Sequence, residues 1–158
     1  MESRVRALGH PVHPMLVAFP IGLWTTAVVF DLIHLISGND VFAEVGYWNI
    51  VAGLIGAVLS AVTGLVDWTG LPGGTRAKRI GLLHGGLNAF VVVLFLVAWL
   101  VRMDNPQHGV SGGLFAVEVL AVLVASVSAW YGGELVDRLG VGVYQDANPD
   151  APSSLRAS

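Results

Sequence analysis

Four stretches of this chain have the length and apolar character of membrane spans. They run from about Pro14 to Ile36, Val45 to Val66, Ile80 to Val101 and Gly112 to Tyr131. At about 1.5 Å of rise per residue, each can cross a hydrocarbon core of roughly 30 Å. The connections are short and rich in helix breakers: Ser37-Gly38-Asn39-Asp40, Gly70-Leu71-Pro72-Gly73-Gly74 and Asp104-Asn105-Pro106. Short connections make successive helices antiparallel. The expected fold is therefore all-α, an integral membrane antiparallel four-helix bundle. Composition supports this, because only 12% of the residues are charged, about half of what a globular chain carries.

The first apolar run is longer than the core of a signal peptide, and no small-x-small cleavage site follows it, so it reads as a retained helix. One transmembrane domain is expected over residues 1–145. The polar tail over 146–158, with Pro149 and Pro152, is expected to be disordered. The net charge of -3 leaves no basic patch for nucleic acid. The absence of cysteine excludes disulfides, thiolate metal sites and thiol catalysis.

Orientation follows from the distribution of Lys and Arg. Arg4, Arg6, Arg76, Lys78, Arg79, Arg138 and Arg156 fall on the side of the N-terminus, and only Arg102 falls on the other. By the positive-inside rule both termini are expected in the cytoplasm, with the chain in a bacterial inner membrane.

Spacing by three and four assigns the helix faces. His13, Val17, Pro20, Trp24, Ala27, Asp31 and His34 share a stripe on the first helix. Asn49, Gly53, Gly56, Ser60, Gly64 and Asp67 share one on the second. Gly81, His84, Gly85 and Asn88 cluster on the third, and Glu118, Ala121, Ala125, Ser128 and Gly132 line up on the fourth. Polar and small residues gather on each stripe, so the stripes face the bundle interior. Pro20 lacks the N–H that the Leu16 carbonyl would accept and is expected to kink the first helix.

Depth sorts the polar residues into two layers. Asp31, Asn49 and Glu118 lie toward the outer surface, with His34 above them. They read as a shared hydrogen-bond network, with a proton or cation path as the alternative. His13, Asp67, His84 and Glu134 lie toward the inner surface, with His10 close by. The glycines Gly81, Gly85 and Gly86 leave room beside His84. His13 and His84 are candidate axial ligands of haem b, with His10 as a substitute, Asp67 orienting an imidazole, and Arg76, Lys78 and Arg79 meeting propionates. His10, His13, Asp67 and His84 are equally a candidate site for a divalent metal such as zinc or iron. The bland reading has the same groups capping helices and bonding to one another. Hydrolase chemistry is not expected, because Ser60, Ser126 and Ser128 lack an arranged base. Leu135, Val136, Val141 and Val143 are expected to fold back beneath the bundle.

Several of these residues occur in a recognisable order. His10-Pro11-Val12-His13-Pro14 precedes Phe19-Pro20-Ile21-Gly22, then Asp31, Asp67, Arg76, His84 and Asn88. The series ends in Gly132-Gly133-Glu134-Leu135-Val136 and Gly140-Val141-Gly142-Val143. Over about Leu8 to Val143 the chain resembles the DUF2231 family of bacterial membrane proteins. The resemblance implies a four-helix membrane fold. Some relatives are joined to Rieske or c-type cytochrome domains, which implies electron transfer; a b-type haem protein would take a quinone or redox protein as its partner. Three functions stay open: a b-type haem protein, a divalent-metal protein of transport or regulation, and a scaffold or accessory subunit of a membrane complex. A homo-oligomer stays open as well.

Overall fold

The computed structural model describes residues 1–155. Arg156, counted above with the inner charges, and the last residues of the 146–158 tail lie outside the described residues. A two-stranded hairpin pairs β1 (Arg6–Ala7) with β2 (His10–Pro11). Its turn places Leu8 and Gly9 at φ 51° and 84°, the backbone of a tight hairpin in which glycine is at ease. Five helices follow: α1 (Val12–Leu16), α2 (Ala18–Ser37), α3 (Asp40–Thr69), α4 (Arg76–Met103) and α5 (Gly112–Gly133). A single π-helical segment, Glu134–Arg138, continues α5.

Helices α1 and α2 form one span that divides at Val17. Pro20 accounts for the division. It has no N–H to offer the Leu16 carbonyl, so the ladder is interrupted one turn before it. The other spans are longer than the apolar stretches that mark them. Asn39 accepts from the Val41 N–H at 3.0 Å and starts α3 at Asp40. Thr75 and Ser111 cap α4 and α5 in the same manner. A capping side chain satisfies a free N–H and lets the helix run past the bilayer edge.

The spans form a closed ring in which α2 packs on α3 and α5, and α4 packs on α3 and α5. Their shared core is Trp24, Ala27, Ile50, Ala57, Val91, Phe95, Ala98 and Ala121. Trp24 and Phe95 stack at 4.5 Å between centroids. Gly53 admits the indole, whose Nε1 donates to the Ile50 carbonyl at 3.3 Å. On the outside, Val58, Leu59, Val62 and Leu65 of α3 are exposed. Such a continuous apolar exterior is what lipid covers.

The N-terminal residues and the segment after α5 close the same end of the bundle. The Met1 ammonium donates to the Gly140 carbonyl and the Gly142 N–H donates back to the Met1 carbonyl, each at 2.7 Å. The Tyr144 hydroxyl donates to the Gly9 carbonyl at 2.6 Å, and Arg6 lies over the Tyr144 ring. Leu135 is buried, while Val136 is exposed. The cover beneath the bundle is thus made jointly by the N-terminal hairpin and residues 139–144. Residues 146–155 carry no helix or strand, and Ser154 reaches the hairpin by donating to the Leu8 carbonyl at 3.2 Å.

Candidate functional site

The polar layer at the end of the bundle away from the N-terminus, the outer layer of the expected orientation, is built around Arg102, in the last turn of α4. Its side chain is fully buried, as are those of Asp31 and Glu118. The guanidinium pairs with both oxygens of Asp31, Nη1 to Oδ2 and Nη2 to Oδ1, each at 2.8 Å. Nη1 also donates to Glu118 Oε1 at 3.1 Å. Nη2 donates to the Ala43 carbonyl and Nε to the His108 carbonyl, both at 2.8 Å. These five bonds engage all five N–H groups of an arginine. They tie α2, α3, α4, α5 and the last loop to one cation. Gly46 is required here, because a Cβ at that position would collide with the Asp31 carboxylate.

Helical spacing places Asp31 and Glu118 inside, while the Lys and Arg distribution leaves Arg102 as a lone charge at that end. A signal was available. Two carboxylates in an apolar span call for a cation, and Arg102 is the one Lys or Arg of the outer half. Asn49, expected in this network, donates instead to the Val45 carbonyl of its own helix. His108, in the loop between α4 and α5, is half-buried. Its ring stacks on Tyr47 at 3.8 Å and its Nδ1 pairs with Glu44 at 2.6 Å.

In the inner layer the structure brings His13 and His84 together. Their rings meet edge to face, with centroids 6.3 Å apart. His13 Nδ1 lies 2.8 Å from the Ser60 carbonyl, and His84 Nδ1 lies 2.8 Å from the Ser128 carbonyl. A carbonyl only accepts, so in both rings Nδ1 carries the hydrogen and the neutral ring keeps its lone pair on Nε2. The Asn88 amide, at 3.0 Å, donates to that lone pair in His84. Glycine makes both fits possible. A Cβ on Gly64 would lie 2.7 Å from His13 Cε1, and one on Gly132 would lie 3.2 Å from His84 Cε1.

The other two expected ligands sit elsewhere. His10 is exposed on the hairpin, with Ser154 as its neighbour at 3.3 Å. Asp67 holds no imidazole. It accepts from the Ser3 hydroxyl at 2.7 and 2.8 Å and from the Arg4 N–H at 2.6 Å, with the Val5 N–H at 3.3 Å. The α3 stripe that carries it faces the first span and the N-terminal segment, so three backbone and hydroxyl donors reach it before any ring does. Asp67→Ala is expected to free residues 3–5 while leaving the bundle intact. Limited trypsin digestion should then cut after Arg4 and Arg6 faster than in wild type, and an unchanged rate would count against this role.

The residues present do not fit a haem between His13 and His84 as they stand. The rings are in edge contact, Gly64 and Gly132 are filled by the imidazoles, and His84 has both nitrogens engaged. The glycines expected to leave room do not provide it: Trp68 covers Gly81, while Gly85 and Gly86 face outward. Arg76 pairs with Glu134 at 2.6 Å, and Lys78 donates to the Trp68 carbonyl at 2.7 Å. For a divalent metal, His13 and His84 supply two nitrogens. Among the described residues no group of three or more His, Asp or Glu converges.

Four antiparallel apolar spans, with their charged groups sealed inside, define a multi-pass helical membrane protein. The lipid-facing exterior and the internal pairing of polar groups are the two marks of that class. The chain belongs to the DUF2231 family, described as predicted membrane proteins, whose model matches residues 9–145. No curated protein and no solved structure matches it.

Proposed function

We propose that this protein is a non-catalytic scaffold or accessory subunit of a membrane assembly, with its two polar layers holding the helices in register. One observation carries the reading: the polar groups that mark the bundle interior are engaged with one another and with backbone carbonyls. Arg102 has no free donor, and His84 has no free ring nitrogen. Hydrogen-bonded polar groups between membrane helices fix register and partner. In this reading the termini lie in the cytoplasm of a bacterial cell, because Arg4, Arg6, Arg76, Lys78, Arg79 and Arg138 gather at their end.

The competing reading is a one-electron haem b protein with a quinone or redox protein as partner. It draws on the approach of His13 to His84 and on the open Nε2 of His13, and it requires Asn88 to release His84. Thermal melts in lipid nanodiscs test the structural role. As a scaffold, His13→Ala and His84→Ala each lose stability on the order of 1–3 kcal/mol, because a buried carbonyl and its packing partner are left unmet. Melting curves unchanged in both variants would contradict the structural role.

A further inference from the structure

The outer cluster contains one cation and two carboxyl groups, and its hydrogen bonds are unevenly divided. Asp31 takes two of the Arg102 donors, Glu118 takes one on Oε1, and the carbonyls of Ala43 and His108 take the rest. Glu118 Oε2 is buried and has no partner. Among the described residues no other cationic group serves it. His108 turns its Nδ1 to Glu44 and stacks on Tyr47, whose hydroxyl accepts from Trp99. His34 faces the Asn39 carbonyl and Asp40.

With both carboxyls ionised, the cluster would hold one uncompensated negative charge inside an apolar span, which is strongly unfavourable. Glu118 Oε1 and Asp31 Oδ2 accept from the same Arg102 Nη1, at 3.1 and 2.8 Å, so the two carboxyl groups lie side by side. Two carboxyl groups share a hydrogen bond only when one of them carries a hydrogen. We propose that Glu118 is a proton-binding site, whose bound proton neutralises the Arg102–Asp31–Glu118 cluster and is donated toward Asp31. The core layer of Trp24, Phe95, Ile50 and Ala121 lies inward of the cluster. That layer is apolar, so the proton is held at the outer end and is not relayed to the histidine layer.

Infrared spectra of the protein in lipid nanodiscs at neutral pH test this. The difference between wild type and Glu118→Gln is expected to contain the C=O stretch of a protonated carboxyl, shifted in D2O and identical in sodium and potassium buffers. Glutamine keeps the length of the side chain and offers an N–H toward Asp31, so the variant is expected to fold. Wild type labelled with 13C-glutamate supplies the same reading without a substitution, through the isotope shift of that band. Carboxylate bands alone would overturn the proposal. Bands that change between sodium and potassium would overturn it too, by assigning the charge balance to a bound alkali cation.

Discussion

Arg102→Met is expected to lower the stability of the bundle by about 3–5 kcal/mol, the largest effect of any single substitution in this protein. The size follows from what remains behind. Asp31 and Glu118 are fully buried, and without the guanidinium the Asp31 charge keeps only the hydrogen that Glu118 donates. The carbonyls of Ala43 and His108 lose their donors as well. Arg102→Lys is expected to recover only a minority of the loss. An ammonium has three donors on a flexible stem and cannot reproduce the planar fork that grips both Asp31 oxygens. Adding Asp31→Asn to Arg102→Met removes a stranded charge, so the double variant is expected to be more stable than Arg102→Met alone. Thermal unfolding in nanodiscs measures all three. A loss below about 1 kcal/mol for Arg102→Met, the range of exposed pairs, would show that the cluster does not lock the helices.

The second large effect is expected at Gly53. A Cβ there would collide with the indole of Trp24, at Nε1 and Cδ1. Phe95 is stacked on the indole at 4.5 Å between centroids, so any shift of Trp24 also disturbs that contact. Gly53→Ala therefore forces α2 away from α3 or turns the indole out of its bond to the Ile50 carbonyl. Overpacking of this kind costs on the order of 1–3 kcal/mol, occasionally more. The helix preference for alanine over glycine, about 1 kcal/mol in a helix interior, acts in the opposite direction and is not expected to prevail. Gly85→Ala, on an exposed face with open space around it, is the matched control. It isolates that preference and is expected to be neutral or slightly stabilising. Tryptophan fluorescence alongside the melt would report whether the indole has moved.

The spans and their inward faces were legible because hydrophobic length and the three-to-four spacing are one-dimensional signals. Trp24, Ala27 and Asp31 on one stripe, and Glu118, Ala121 and Ser128 on another, are buried as their spacing implies. Neighbours within a layer were less legible. Asp67 and His84 belong to the same depth, and depth alone made them partners. Rotation about the helix axis and the N-terminal segment decided otherwise, and neither is encoded in distance along the chain. Arg102 was hidden for a related reason. It lies at a helix end, where an arginine is normally solvated, and only the three-dimensional closing of Asp31, Glu118 and two loop-side carbonyls around it shows that it is interior. The pairing of His13 with His84 was legible, because both lie on inward stripes at one depth. Their chemistry was not, since the Ser60 and Ser128 carbonyls that fix their tautomer carry no residue signature.

An oxidised and a dithionite-reduced absorbance spectrum of the protein, purified after expression with ample haem, with His84→Ala beside it, tests the role of the histidine layer most directly. The scaffold reading predicts no Soret or α band in either protein and a lower melting temperature in the variant. Sharp bands in wild type that vanish in His84→Ala would contradict it and make His84 a ligand.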